Sequence, residues 1–138
     1  METKGLDKVL IDTSVWIEFF RNREPYHTAV SQLLTEGRVC CAGIILAELM
    51  QGAKEEKELQ VIREFISVFE FLTEQPETWE KTGGLSFELR RAGKPVGLSD
   101  CHIAALAAEH GAAVFTLDKH FEVITESFEI ALYAPTQG

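Results

Sequence analysis

Short apolar runs alternate with longer stretches of helical spacing along this chain. Val9-Leu10-Ile11 stops abruptly at Asp12, and Trp16, Ile17, Phe19 and Phe20 follow at helical intervals. A short run with no polar position is what a strand buried on both faces of a parallel sheet requires. The pattern predicts a first helix to about Arg21, capped by Thr13 or Ser14 and broken by Asn22 and Pro25. A second helix fits Pro25 to Glu36, with Gly37 at its end, and Arg38 to Ala42 reads as a second buried strand. Gly43 then leads into IILAELMQGA, a helix in which Glu48 is the single charge.

The second half continues the alternation. Glu55 to Phe69 is amphipathic, with Leu59, Ile62, Phe65, Ile66 and Phe69 at three- and four-residue spacings. Glu70-Phe71-Leu72 reads as a brief strand, and Pro76 to Arg91 as a helix closed by Gly93. The Gly83-Gly84 pair inside that helix costs about 1 kcal/mol per glycine relative to alanine and marks a bend or a close helix contact. Ser99 or Asp100 is read as the cap of the alanine-rich helix CHIAALAAEH, which Gly111 terminates. AAVFTLD, residues 112–118, repeats the opening theme of apolar strand followed by aspartate, and a last strand is expected within Glu129 to Tyr133, before a polar tail. Strand alternating with helix implies an α/β fold around a central parallel sheet. No repeat or long linker interrupts residues 1–138, so a single domain is expected.

Composition changes this picture little. The 138 residues are 46% hydrophobic and 25% charged, ordinary values for a globular chain. No apolar run approaches the roughly 20 residues of a membrane span, and METKGLDK lacks the hydrophobic region of a signal peptide. The expectation is a cytoplasmic protein with no membrane partner. Cys40, Cys41 and Cys101 lack metal-site spacing and are expected as reduced, buried thiols. Trp16 and Phe19 are read as core.

Charge matters more. A net charge of −9 stands against the basic footprint usual in nucleic-acid binding. A site that concentrates carboxylates around divalent cations contributes to that acidity, however, and a bound cation reverses the local sign. Arg21 and Arg23 follow the first helix, and Arg90, Arg91 and Lys94 form a second basic group. Each group is either a local contact for phosphate or an ordinary solvated surface.

The candidate chemistry lies in four acids. Asp12 and Asp118 each end an apolar strand, and parallel strands bring their carboxyl ends to one edge. Asp100 opens a helix and Glu48 lies in the first turns of another; right-handed crossovers bring both to the same edge. Four carboxylates a few ångströms apart resist joint ionisation without a counter-cation. A hard divalent ion, Mg²⁺ or Mn²⁺, suits oxygen donors and retains waters for a substrate. Singly, each acid has an ordinary explanation: Asp12 and Asp100 as caps, Asp118 as an Asx turn, Glu48 on an exposed helix face. A lone acid in IILAELM nonetheless lies on or beside a buried face, where an unpaired carboxylate is costly.

Four stretches now carry a resemblance. IDTSVWIEFF, AELMQGA, LSDCHIAALAAEHG and TLDKHF, in that order and across nearly the whole length, resemble the PIN-domain proteins, specifically the VapC-type ribonuclease toxins of toxin–antitoxin pairs. The resemblance implies a three-layer α/β/α fold with a metal site formed by Asp12, Glu48, Asp100 and Asp118. It implies Mg²⁺- or Mn²⁺-assisted hydrolysis of a phosphodiester in transfer, ribosomal or messenger RNA. Asp12 and Asp100 would be direct ligands, with Glu48 and Asp118 completing the shell. Some relatives have a further acid where Thr116 stands here, so one fewer carboxylate reaches the metal. Thr13, Ser14, Thr116, Arg21 and Arg23 are candidates for supporting the acids or meeting phosphate; His102 and His120 are not required as bases. The resemblance also implies a homodimer inhibited by a small antitoxin that covers the acidic groove and offers a basic side chain.

Three other readings share some of these features. A PIN nuclease of RNA processing outside a toxin pair would carry the same four acids. A Mg²⁺-dependent phosphatase with an aspartate nucleophile expects a second aspartate where Ser14 stands. A non-catalytic acidic binding module would show no metal-dependent cleavage.

Overall fold

A computed structural model describes residues 7–135; the N-terminal stretch and the end of the polar tail read from the sequence lie outside them. The described residues form a five-stranded, all-parallel sheet. Its strands are β1 (Val9–Ile11), β2 (Val39–Cys41), β3 (Glu70–Phe71), β4 (Ala113–Phe115) and β5 (Ala131–Leu132). Between them run α1 (Thr13–Phe20), α2 (Tyr26–Thr35), α3 (Gly43–Gln51), α4 (Glu56–Ile66), α5 (Pro76–Arg91), α6 (Leu98–His110) and α7 (His120–Thr125).

The spatial order β3-β2-β1-β4-β5 puts the first strand at the centre. The chain winds outward from β1 to β3 in one direction, then returns to β1's other side and winds to β5. Right-handed crossovers then place α1–α4 and α5–α7 on opposite faces, giving an α/β/α sandwich. Consistent with that division, α1 packs on α2 and α3, and α3 on α4, while α6 packs on α5 and α7. The reversal between β1 and β4 is a topological switch point, where open α/β sheets leave a crevice beyond the strands' carboxyl ends. Asp12 follows β1 and Asp118 follows β4, so the two acids flank it.

The register explains the uniformly apolar strands. Val9 pairs with Val39 on one side and Ala113 on the other, and Ile11 pairs with Phe115. All three residues of β1 and of β2 are buried. The α1–α4 face closes over Trp16, which has no exposed surface and packs against Phe19, Phe20, Phe65 and Phe69 at centroid separations of 5.6–5.9 Å. Such aromatic pairs add about 0.5–1.5 kcal/mol each beyond the area they bury. On the opposite face α6 is buried on every side from Cys101 to Ala107, as its alanine-rich sequence allows.

Several element ends differ from the sequence reading, each for a local reason. Asp12, in extended conformation, occupies the N-cap of α1; Thr13 and Ser14 are the first helical residues, and their hydroxyls bond elsewhere. Gly97, not Ser99 or Asp100, is the N-cap of α6, since the Cys101 N–H already donates to the Gly97 carbonyl at 3.1 Å. Asp100 therefore sits inside the first turn. The helix expected to reach Phe69 ends at Ile66, releasing the chain into β3. The helix over Pro76 to Arg91 has the ends read from the sequence, but no close contact is made at Gly83-Gly84, where an added Cβ would meet nothing within 4 Å. A short helix not anticipated, α7, follows Asp118 and is anchored by buried Phe121 and Ile124.

Candidate metal centre and adjoining groove

Asp12 is 95% buried where β1 ends, with 5% exposure, yet it makes no side-chain cap to its helix. Instead its Oδ2 accepts two hydroxyls: Ser14 Oγ donates at 2.9 Å and Thr116 Oγ1 at 2.8 Å. Both hydroxyls are themselves fixed by the loop after β4. Ser14 Oγ accepts the Leu117 N–H at 3.0 Å, and Thr116 Oγ1 accepts the Asp118 N–H at 2.9 Å. This lattice joins α1 to the β4 loop and sets the orientation of the Asp12 carboxylate. Next along the chain, Thr13 Oγ1 donates to Glu48 Oε1 at 2.7 Å, tying α3 to the same sheet edge.

Asp100 and Asp118 meet across the crevice together with His120. One donor atom from each of the three lies within 4.8 Å of the others. His120 Nδ1 stands 3.2 Å from Asp118 Oδ1 and 3.4 Å from Asp100 Oδ2, and the His120 N–H donates to Asp118 Oδ1 at 2.9 Å. Burial, with the negative charges of Asp118 and Asp12, pushes the Asp100 carboxyl up to about 6. Asp12 is thus close enough to act on Asp100, although it and Glu48 lie outside the closest trio. Among the described residues, no lysine or arginine forms an ion pair with Asp12, Glu48, Asp100 or Asp118. An acid cluster with no lysine or arginine paired to it among the described residues, and with one member already pushed towards its neutral form, has the donor chemistry of a divalent cation site.

The remaining candidates divide. Arg21 and Glu48 both line an open groove of about 600 Å³ between α1, α3 and α4, whose apolar wall of Ile17, Phe20, Leu49 and Val61 is flanked by the charged Lys54, Glu55, Lys57 and Glu58. Arg23 instead pairs with Glu18 at 3.6 Å and does not line that groove. His102 is buried away from solvent on α6, stacked 3.9 Å from Trp79 with its Nδ1 3.1 Å from Thr82 Oγ1. His120 was the residue that spacing alone undervalued. Its only sequence signal was its position two residues beyond Asp118, which gains meaning once α7 is known to start there.

Fold and site together define a class: a parallel α/β/α domain whose carboxylates gather at the switch point beside the central strand. The PIN-domain family model matches residues 9–126. Ribonuclease VapC11 of Mycobacterium tuberculosis is 32% identical over 121 residues, covering 84% of this chain and 90% of the relative. The tRNA(fMet)-specific endonuclease VapC of Salmonella typhimurium is 35% identical over 113 residues, covering 79% of this chain and 85% of the relative. Among solved structures, a chain of the DNA-bound VapBC from Salmonella typhimurium superposes with a TM-score of 0.74 at 32% identity, covering 92% of this chain and 97% of that one. The chain belongs to the PIN-domain family, among its VapC-type members. No helix of the described residues is long and apolar enough to cross a membrane.

Proposed function

We propose that this protein is a divalent-metal-dependent endoribonuclease and the toxin of a toxin–antitoxin pair. The observation that carries the reading is the cluster of Asp12, Asp100 and Asp118, without a lysine or arginine partner among the described residues and with Glu48 tied to the same sheet edge, in a chain whose relatives are named as VapC ribonucleases. A bound Mg²⁺ or Mn²⁺ would supply charge neutralisation for the phosphate and acidify a water molecule. Asp12, Asp100 and Asp118 would hold that ion. Thr116 and Ser14, both donating to Asp12 Oδ2, fix the carboxylate so that it meets the ion without reorganising. Glu48 is held through one oxygen by Thr13, and its other oxygen, which accepts no hydrogen bond among the described residues, would orient a water or accept its proton. Arg21, exposed on the groove beside Glu48, offers a cation to a phosphate of the incoming strand.

Transfer RNA is the first substrate class to test, because one relative is named a tRNA(fMet)-specific endonuclease. The groove between α1, α3 and α4 offers the apolar residues Ile17, Phe20, Leu49 and Val61 to a small antitoxin segment, and Glu48 to a basic side chain on it. Structural relatives include VapBC toxin–antitoxin complexes. The test is cleavage of a pool of transfer and ribosomal RNA by purified protein with Mg²⁺, Mn²⁺ or EDTA, beside Asp100→Asn. Discrete cuts that require metal and vanish in the variant are expected. Folded, partner-free protein that binds neither ion and cuts no RNA would overturn the reading in favour of a binding module.

A further inference from the structure

We propose that His120 contributes a nitrogen ligand to the cation held at Asp100 and Asp118, making the site favour Mn²⁺ over Mg²⁺. This deepens the nuclease reading and rests on it, since it presupposes a divalent ion at the acid cluster.

The argument begins with spacing. Neighbouring ligands of an octahedral ion at about 2.2 Å lie about 3.1 Å apart, the diagonal of that bond length, slightly less for Mg²⁺. His120 Nδ1 is 3.2 Å from Asp118 Oδ1 and 3.4 Å from Asp100 Oδ2, both close to the spacing of neighbouring ligands, and one donor atom from each of the three residues lies within 4.8 Å of the others. The ring is placed by the backbone rather than by chance rotation. The His120 N–H donates to Asp118 Oδ1 at 2.9 Å, the next residue, Phe121, has no exposed surface, and the Phe121 N–H donates to the Asp118 carbonyl at 3.2 Å. An ion pair alone accounts poorly for this order, because the His120 side chain is 55% exposed and exposed pairs contribute little to holding a conformation.

Donor identity then sets the preference. Mg²⁺ is served by oxygen and water in near-ideal octahedra, whereas Mn²⁺, although the first and weakest-binding of the first-row transition series and itself mainly an ion of oxygen donors, accepts an imidazole nitrogen more readily than Mg²⁺. Two carboxylates and one imidazole leave further positions for water and a phosphate oxygen. Asp12, tethered by Ser14 and Thr116, is near enough for its charge to act on Asp100.

The test is titration of the full chain with Mn²⁺ and, separately, Mg²⁺, combined with pulsed electron paramagnetic resonance of the Mn²⁺ form, for wild type, His120→Ala and His120→Gln. The expected result is a nitrogen hyperfine coupling in wild type that is lost in both variants, a Mn²⁺ Kd weaker by about tenfold, and a Mg²⁺ Kd changed less than about twofold. Circular dichroism of the variants confirms that they fold, as the exposure of the ring leads one to expect. Mn²⁺ bound with unchanged Kd and no nitrogen coupling would overturn the assignment of His120 while leaving the metal-dependent nuclease intact. Failure of wild type to bind either ion would remove both.

Discussion

Thr13 Oγ1 donates a 2.7 Å hydrogen bond to Glu48 Oε1, joining the first residue of α1 to the middle of α3 across 35 positions of sequence. Glu48 is thereby held by a neighbour of Asp12, although α3 departs from a different strand. Removing the hydroxyl frees the carboxylate to rotate into the groove. Thr13→Val is expected to lower RNA cleavage about tenfold and stability by about 1.5–3 kcal/mol, the usual value of a hydrogen bond to a charged group. Thr13→Ser should restore both. Measuring kcat and thermal unfolding on the same preparations checks this; a variant that loses stability but not kcat would show that Glu48 needs no such tether.

The Asp100 carboxyl, raised to about 6 by burial and by Asp118 and Asp12, makes the metal-free protein sensitive to pH. A carboxyl whose folded pKa lies above its unfolded value binds more protons in the native state. Its unfavourable contribution is therefore absent near pH 4 and grows as pH rises, levelling off above about pH 6. Asp100→Asn removes that contribution. After discount for partial solvent screening, the variant should be more stable than wild type by about 1 kcal/mol at pH 7.5 in EDTA, a Tm higher by about 3 °C, with no gain at pH 4. Saturating Mn²⁺ should reverse the order, because only wild type is stabilised by the ion, by about 2.7 kcal/mol at 100 times Kd. Melting curves in EDTA and Mn²⁺ at the two pH values decide it.

Most of the frame was legible in the sequence. Val9-Leu10-Ile11 and Ala113-Val114-Phe115 announce buried parallel strands because burial on both faces leaves no room for polar alternation, and the aspartates that end them announce the functional edge. The winding order was implied rather than visible: nothing local in Val39-Cys40-Cys41 says that β2 pairs with β1 instead of β4. Caps were misjudged where tertiary bonds compete with local ones. Thr13 and Ser14 are strong local cap formers, yet their hydroxyls serve the acids of the site, Thr13 donating to Glu48 and Ser14 to Asp12. α7 escaped notice because His120 to Thr125 is too short to show a helical period.

The cysteines give a sharper contrast between folded and unfolded protein. Cys40 and Cys41 lie on β2 with no exposed surface, and burial pushes their thiols up to about 12 and about 11. Burial also raises Cys101. The thiolate is the reactive species, so at pH 8 these groups are both inaccessible and protonated. Labelling with iodoacetamide at pH 8 should modify none of the three in the native protein within an hour and all three in guanidinium. Rapid native labelling of Cys40 would mean that the β2 edge opens, since its neighbour β3 is only Glu70–Phe71.

Ser14 and Thr116 donate to the same oxygen of Asp12 from opposite sides of the switch point, one on α1 and one after β4, with their own oxygens 3.5 Å apart. Either donor alone still restrains the carboxylate, since the remaining hydroxyl also stays anchored, Ser14 by the Leu117 N–H and Thr116 by the Asp118 N–H. Losing both leaves Asp12 buried with no hydroxyl on Oδ2 and leaves two backbone N–H groups without their acceptors. Ser14→Ala and Thr116→Val should each lower kcat about three- to tenfold, and the double variant by more than the product of the two, about 300-fold. Residues that share one partner are expected to couple by about 0.5–3 kcal/mol in this way. The double-mutant cycle is read from kcat at saturating metal, with Tm measured alongside. Strict additivity would mean that Asp12 is oriented by the backbone of β1 and α1 alone, and that the hydroxyls serve only the loop after β4.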